Sequence, residues 1–128
     1  MRIRLADYVA DFLVSHGVTD VFSVVGGGAM HLNDAFGHQE GLKITYNHHE
    51  QACTIAAEGY TRQTGKIAPV CVTGGPGGTN AITGVFGAYV DSIPMFVVMI
   101  LTPIIGGLIG AYLARGIFKK HFKKAGMI

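Results

Sequence analysis

Glu50 is the residue best placed to do chemistry. It lies in Asn47-His48-His49-Glu50-Gln51-Ala52-Cys53, between an apolar strand-like run and a helix of small residues. Twenty-three residues on comes Thr73-Gly74-Gly75-Pro76-Gly77-Gly78-Thr79-Asn80. A carboxylate at a helix start, then a strand, then a glycine-rich turn, suggests a cofactor pocket. An acid at a helix N-terminus also has a plain explanation, since the helix dipole favours it by about 0.3–1 kcal/mol. If Glu50 exchanges a proton near neutral pH, its pKa must be raised, and an apolar, desolvated pocket is the means. Ala52, Ala56 and Ala57 are small enough to allow close approach.

The glycine turn 74–78 invites a phosphate-loop reading, because such turns expose backbone N–H groups. No Gly-Lys-Ser/Thr follows, which excludes a Walker loop. A tight strand-to-helix turn using glycine for positive φ accounts for it too. One of His48 and His49 faces a substrate, or they are solvated or helix-capping histidines. Cys53 and Cys71 sit in apolar runs without metal-ligand spacing, so they read as packing residues of a reducing, cytoplasmic setting.

These residues need elements to hold them. Leu5, Tyr8, Val9, Phe12 and Leu13 recur at helical spacing, and His16-Gly17 stops the pattern. Val21 to Val25 reads as a buried strand broken by Gly26-Gly27-Gly28. The chain then predicts a helix over 29–38, burying Met30, Leu32 or Phe36. A strand follows over 43–47, then a helix over 50–64 with Ala52, Ile55, Ala56, Gly59 and Tyr60 on one side. A strand over 68–73, a helix over 78–89 and a strand over 95–100 complete the pattern. Alternating strand and helix with short turns predicts an α/β fold, a parallel sheet flanked by helices. Ligands in such sheets bind at the carboxyl ends of strands, where all three marked turns fall.

Only 14% of residues are charged, against about 25% in soluble domains. Residues 1–100 carry a net −3 and residues 101–128 a net +5. Residues 92–114 hold no charge, and Gly106/Gly110 and Gly107/Ala111 form small-xxx-small pairs. The uncharged length meets the roughly 20 residues of a membrane span, with Lys119 to Lys124 as a basic flank. Pro103 would break a helix running through it, and 103–118 alone is short. The division is therefore 1–100 as one α/β domain and 101–128 as an apolar, Gly-rich helix with a basic tail. A membrane-anchored binding or transport component is the alternative this tail raises. The basic cluster lacks any nucleic-acid module.

Four blocks carry a resemblance: His49-Glu50-Gln51-Ala52, Ala57 to Gly65, Val72 to Asn80, and Ala88-Tyr89-Val90-Asp91-Ser92-Ile93-Pro94. Together they resemble the N-terminal pyrimidine-binding (PYR) domain of thiamine-diphosphate enzymes of the acetolactate synthase and pyruvate decarboxylase kind, over about residues 1–98. The resemblance implies that Glu50 hydrogen-bonds N1′ of the cofactor's aminopyrimidine and so activates it. It implies further that Thr73, Gly74, Gly75, Pro76, Gly77 and Asn80 shape the cofactor pocket. Gly26, Gly27, His48 and His49 fall on the substrate side, although Gly26-Gly27-Gly28 departs from the family's Pro-Gly turn. The implied activity is decarboxylation of, or carboligation from, a 2-keto acid.

The family's diphosphate and Mg²⁺ motif, Gly-Asp-Gly…Asn, does not occur in the sequence. A homodimer or partner subunit is expected to supply that half, and the chain alone to be inactive. No motif reads on FAD, and none on a protein-bound metal. The tail, from Lys120 to Met127, is similar to the C-terminus of membrane subunits of energy-coupling-factor transporters. That points to a chain joined near residues 98–101.

Overall fold

The computed structural model describes residues 3–98. The expected helix over 103–118 and the end of the last strand, residues 99–100, lie outside the described residues. Within them run α1 (Leu5–Ser15), β1 (Asp20–Ser23), a short 3-10 turn (Gly27–Ala29), α2 (Met30–His38), β2 (Lys43–Tyr46), α3 (Glu50–Thr64), β3 (Pro69–Cys71), α4 (Pro76–Val90) and β4 (Phe96–Val98). All strand pairs are parallel, in the order β2-β1-β3-β4. The α/β architecture is the expected one.

Strand side chains alternate between faces, and each face is covered. Val21 and Cys71 join Ala10 and Leu13 of α1 and Phe36 of α2 in one core layer. Val70 and Val72 join Cys53 and Ala57 of α3 and Ala81 of α4 in the other. Helices α1 and α2 thus cover one face, and α3 and α4 the other.

Two packing expectations change. Phe36 is fully buried, but Met30 is 57% exposed, because the 3-10 turn ahead of α2 turns Ala29 inward instead. On α3 the buried stripe is Cys53, Thr54, Ala57 and Thr61, while Ala52, Ile55 and Gly59 are exposed. Small residues on both sides hid which side faces the sheet.

The chain leaves β1 toward β2 on one side and later returns to β3 on the other. The sheet therefore has its topological switch point between β1 and β3, where ligands of open α/β sheets bind. A buried polar link ties this place together. Ser23 Oγ lies 2.7 Å from Asn33 Oδ1 and 2.8 Å from the Cys71 carbonyl, and Asn33 Nδ2 donates to the Ala29 carbonyl at 3.1 Å. Among the described residues no buried side-chain polar atom lacks a partner. At the opposite end of the sheet a groove of about 320 Å³ runs between Phe12, Pro69 and Phe96, beside the β4 edge. No helix among the described residues is long and apolar enough to cross a membrane.

Candidate functional site

The site forms where α3 and α4 begin. Glu50 opens α3, and His49 caps it, its Nδ1 accepting the Gln51 N–H at 3.1 Å. This gives His49 the capping role that the sequence left open. His48 is exposed beside it. The helix ends as expected at Gly65, whose φ of 71° suits glycine.

The glycine turn does two things. Gly75 takes φ 75°, and Pro76 starts α4, two residues earlier than expected. A proline at the first helical position loses no hydrogen bond, which is why the helix absorbs Pro76 and Gly77. Helix α4 then lies close against α3. A Cβ on Gly84 would stand 2.7 Å from Thr54 Cβ, with Thr54 Oγ1 nearer still. Glycine at 84 is what allows this approach.

The close packing brings the two helix N-termini together. Asn80 Nδ2 donates to Glu50 Oε2 at 3.1 Å. A Cβ on Gly77 would stand 3.0 Å from Glu50 Oε1 and 2.9 Å from Thr73 Cγ2. So Gly77 lets the start of α4 approach the carboxylate and Thr73 more closely than any residue with a side chain could. Glu50, Thr73, Gly77 and Asn80 form one cluster. Gly26 and Gly28 reach it through Thr73, whose Oγ1 accepts the Gly28 N–H at 3.1 Å. Gly27 meets nothing within 4 Å of where its Cβ would be, so it is not tied in.

The electrostatics correct one expectation. Glu50 is held below the ordinary carboxylate range, not raised above it. The Asn80 hydrogen bond is the main cause. A backbone hydrogen bond adds to it, and the neighbouring His49 contributes; partial burial opposes them only in part. The alanines expected to allow close approach do not enclose it. Ala57 is buried against the sheet and Ala52 is exposed. In this chain Glu50 is an ionised acceptor.

The cysteines behave as expected of packing residues. Both are free and buried, and burial pushes Cys71 up to about 11 and Cys53 upward as well. Asn47 Nδ2 donates to Cys53 Sγ at 3.3 Å, so the residue before the histidine pair anchors the β2–α3 turn. Among the described residues no group of three His, Cys, Asp or Glu could hold a metal ion.

Sequence reasoning missed Gly84 and Gly28. Gly84 lacked a motif to mark it, and Gly28 was named only as part of the 26–28 turn; the close approach of a neighbouring side chain reveals the role of each.

Comparison with known proteins gives the chain a family. The chain matches the family described as "Thiamine pyrophosphate enzyme, N-terminal TPP binding domain" over residues 3–123, past the boundary read near residue 100. It is 46% identical over 93 residues to an acetolactate synthase large subunit of Buchnera aphidicola (subsp. Schizaphis graminum), covering 73% of this chain and 16% of that protein. It is 43% identical over 110 residues to the acetolactate synthase large subunit of Haemophilus influenzae, covering 86% and 19%. With the acetolactate synthase isozyme 3 large subunit of Escherichia coli it shares 42% over 103 residues, covering 79% and 18%. The chain spans less than a fifth of the length of these relatives. It belongs to the N-terminal thiamine-diphosphate-binding domain family, on the acetolactate synthase-like side.

Proposed function

We propose that this chain supplies the pyrimidine-binding half of a thiamine-diphosphate site, in an enzyme that decarboxylates a 2-keto acid or joins two carbon units derived from one. The observation that carries it is the Glu50–Gly77–Asn80 cluster. A fixed carboxylate stands against a helix start that only glycine lets so near, at the carboxyl end of a parallel sheet. A carboxylate held by Asn80 in this way can meet a ring nitrogen of a flat heteroaromatic cofactor.

Each residue has a physical task. Asn80 occupies Oε2, which leaves Oε1 turned toward Gly77 and available to a ring N–H. Glu50 then holds or releases a proton at that oxygen. Thiamine diphosphate, when bound, supplies the carbanion chemistry that protein side chains lack. The Gly75 turn and Pro76 fix the start of α4, so Gly77 cannot drift. Thr73, Gly74 and Gly75 shape the wall, and Gly26 with His48 fall on the substrate side.

The diphosphate and its Mg²⁺ are held elsewhere, by a second domain or partner subunit. The outer face of α3 and α4 supports this. Ile55, Ile82, Phe86 and Tyr89 are all about half exposed or more, an apolar surface next to Glu50 that a second copy or another domain would cover.

The test is a titration of the ¹⁵N-labelled chain with thiamine, read by NMR so that weak binding is seen. Shifts centred on Glu50, Gly77 and Asn80 are expected, and Glu50→Gln should weaken them. Shifts elsewhere, or shifts unchanged in Glu50→Gln, would overturn the reading. The purified chain alone should not decarboxylate pyruvate.

A further inference from the structure

Thr73 follows β3 at the switch point and is half-buried. Its side chain touches three glycines from two different turns. A Cβ on Gly26 would stand 2.5 Å from Thr73 Cβ, one on Gly28 2.9 Å from Thr73 Oγ1, and one on Gly77 2.9 Å from Thr73 Cγ2. Backbone conformation does not explain the first of these. Gly26 has φ −165°, extended backbone that any residue adopts. What excludes a side chain at 26 is Thr73 itself. Gly27, between the two contacting glycines, meets nothing.

The hydroxyl of Thr73 faces the 26–28 turn, and its methyl meets both turns, 2.9 Å from where a Cβ would stand on Gly26 and on Gly77. Its hydroxyl accepts the Gly28 N–H at 3.1 Å, which ties down the turn after β1. Its methyl abuts Gly77, and Gly77 in turn faces Glu50 Oε1. A β-branched residue with one polar and one apolar branch is the shape this junction requires. Serine lacks the methyl, and valine lacks the acceptor. Its χ1 is stiff, so the two contacts are held in fixed relation.

We propose that Thr73 is a positioning residue that locks the 26–28 turn to the Glu50–Gly77 cradle, setting the distance between the substrate side and the proton-carrying carboxylate. The assignment rests on the reading of Glu50 given above. Thr73 acts through Gly28 and Gly77.

The test separates the branches in the full-length chain, using NMR amide exchange at Gly28 and the titration of the Glu50 carboxyl. Thr73→Val keeps the methyl shape and removes the acceptor. Gly28 exchange should rise roughly fivefold, the equivalent of one neutral hydrogen bond, while the Glu50 midpoint stays in place. Thr73→Ser keeps the acceptor and removes the methyl. Gly28 protection should hold, and the Glu50 midpoint should move up toward its ordinary value as Gly77 and Asn80 loosen. A residue that merely fills space would move both readouts together in both variants, and that result overturns the proposal. If Thr73→Val does not fold, a size swap decides. Gly26→Ala should lower the thermal midpoint, and Gly26→Ala in a Thr73→Gly background should lower it less. Equal losses in the two backgrounds overturn the proposal. None of these readouts involves thiamine, so their failure leaves the ligand titration of Glu50→Gln to be judged by itself.

Discussion

Gly84 and Gly87 lie three residues apart on α4, and the structure gives their alanine variants opposite signs. At Gly87 a Cβ would meet only Glu58 Oε2 at 3.7 Å, an ordinary contact with a movable atom. Alanine there should stabilise by about 0.5–1 kcal/mol, since it reduces the entropy lost on helix formation. At Gly84 the Cβ would stand 2.7 Å from Thr54 Cβ and 3.3 Å from the Ile55 backbone nitrogen. Thr54 is fully buried and its hydroxyl donates to the Gln51 carbonyl at 2.8 Å, so it cannot step aside. Overpacking of this kind costs about 1–3 kcal/mol or more. Contacts this short belong to the upper part of that range, and helix propensity offsets about 1 kcal/mol, which leaves a net loss of about 1–2 kcal/mol. For a domain of this size that is a fall of roughly 5–15 °C in Tm. Urea unfolding followed by far-UV circular dichroism is the assay, because the chain has no tryptophan. The reasoning also reaches the site. Pushing α4 from α3 should separate Asn80 from Glu50, so Gly84→Ala should raise the Glu50 titration midpoint and Gly87→Ala should not. A Gly84→Ala chain as stable as the parent would refute the claim that helix contact sets the cradle. So would two variants that move in the same direction.

Other outcomes follow from the same contacts. Asn80→Ala should raise the Glu50 midpoint, seen by ¹³C NMR. Because Glu50 is depressed in the folded chain, its contribution is present above its unfolded pKa and is lost as pH falls through the folded value. The variant should therefore be less stable than the parent at neutral pH, by under about 1 kcal/mol for a partly solvated pair, and the gap should close in acid. Cys53 and Cys71 should react with a thiol reagent only on unfolding, since both are buried with raised pKa values; fast labelling of the native chain would contradict the core packing. Arg62 joins Glu58 and Asp91 on the surface, where solvent screens the pairs, so Arg62→Met should leave the midpoint of chemical denaturation nearly unchanged. Light scattering should show dimers or larger species through the exposed α3–α4 face, and a monodisperse monomer would count against that face as an interface.

Element order and type were legible because strand and helix periods differ and glycines punctuate the joins. Helix α3 runs over 50–64 as its capping residues indicated. The buried side of that helix was not legible. Ala52, Ala56 and Gly59 are as small as the residues that do face the sheet, so a hydrophobic stripe could not separate them. Strand order was not legible either, because a parallel strand pairs across a crossover whose direction the local sequence does not encode. For the site, Glu50 and the glycine turn were marked by residue type, and four ordered blocks gave them a family. The contacts of Thr73 and the role of Gly84 needed coordinates, since both depend on what stands opposite a missing Cβ.

The depressed pKa of Glu50 is the point at which chain and proposed function pull apart. A group that exchanges a proton near neutral pH works best with a pKa near that pH. In this chain the Asn80 amide holds Glu50 ionised, and water reaches its open side. The apolar residues Ile55 of α3 and Ile82 and Phe86 of α4 are exposed. If a partner covers that face, it removes water from the carboxylate while the Asn80 bond stays. Desolvation then dominates and the pKa rises. The experiment is to graft residues 3–98 in place of the matching segment of an acetolactate synthase large subunit and to measure the acid limb of its pH–rate profile. That limb should lie above the Glu50 midpoint of the free chain, and should vanish with activity in Glu50→Gln. If the limb coincides with the free-chain midpoint, the partner face does not tune Glu50, and its role as a proton exchanger fails on energetic grounds.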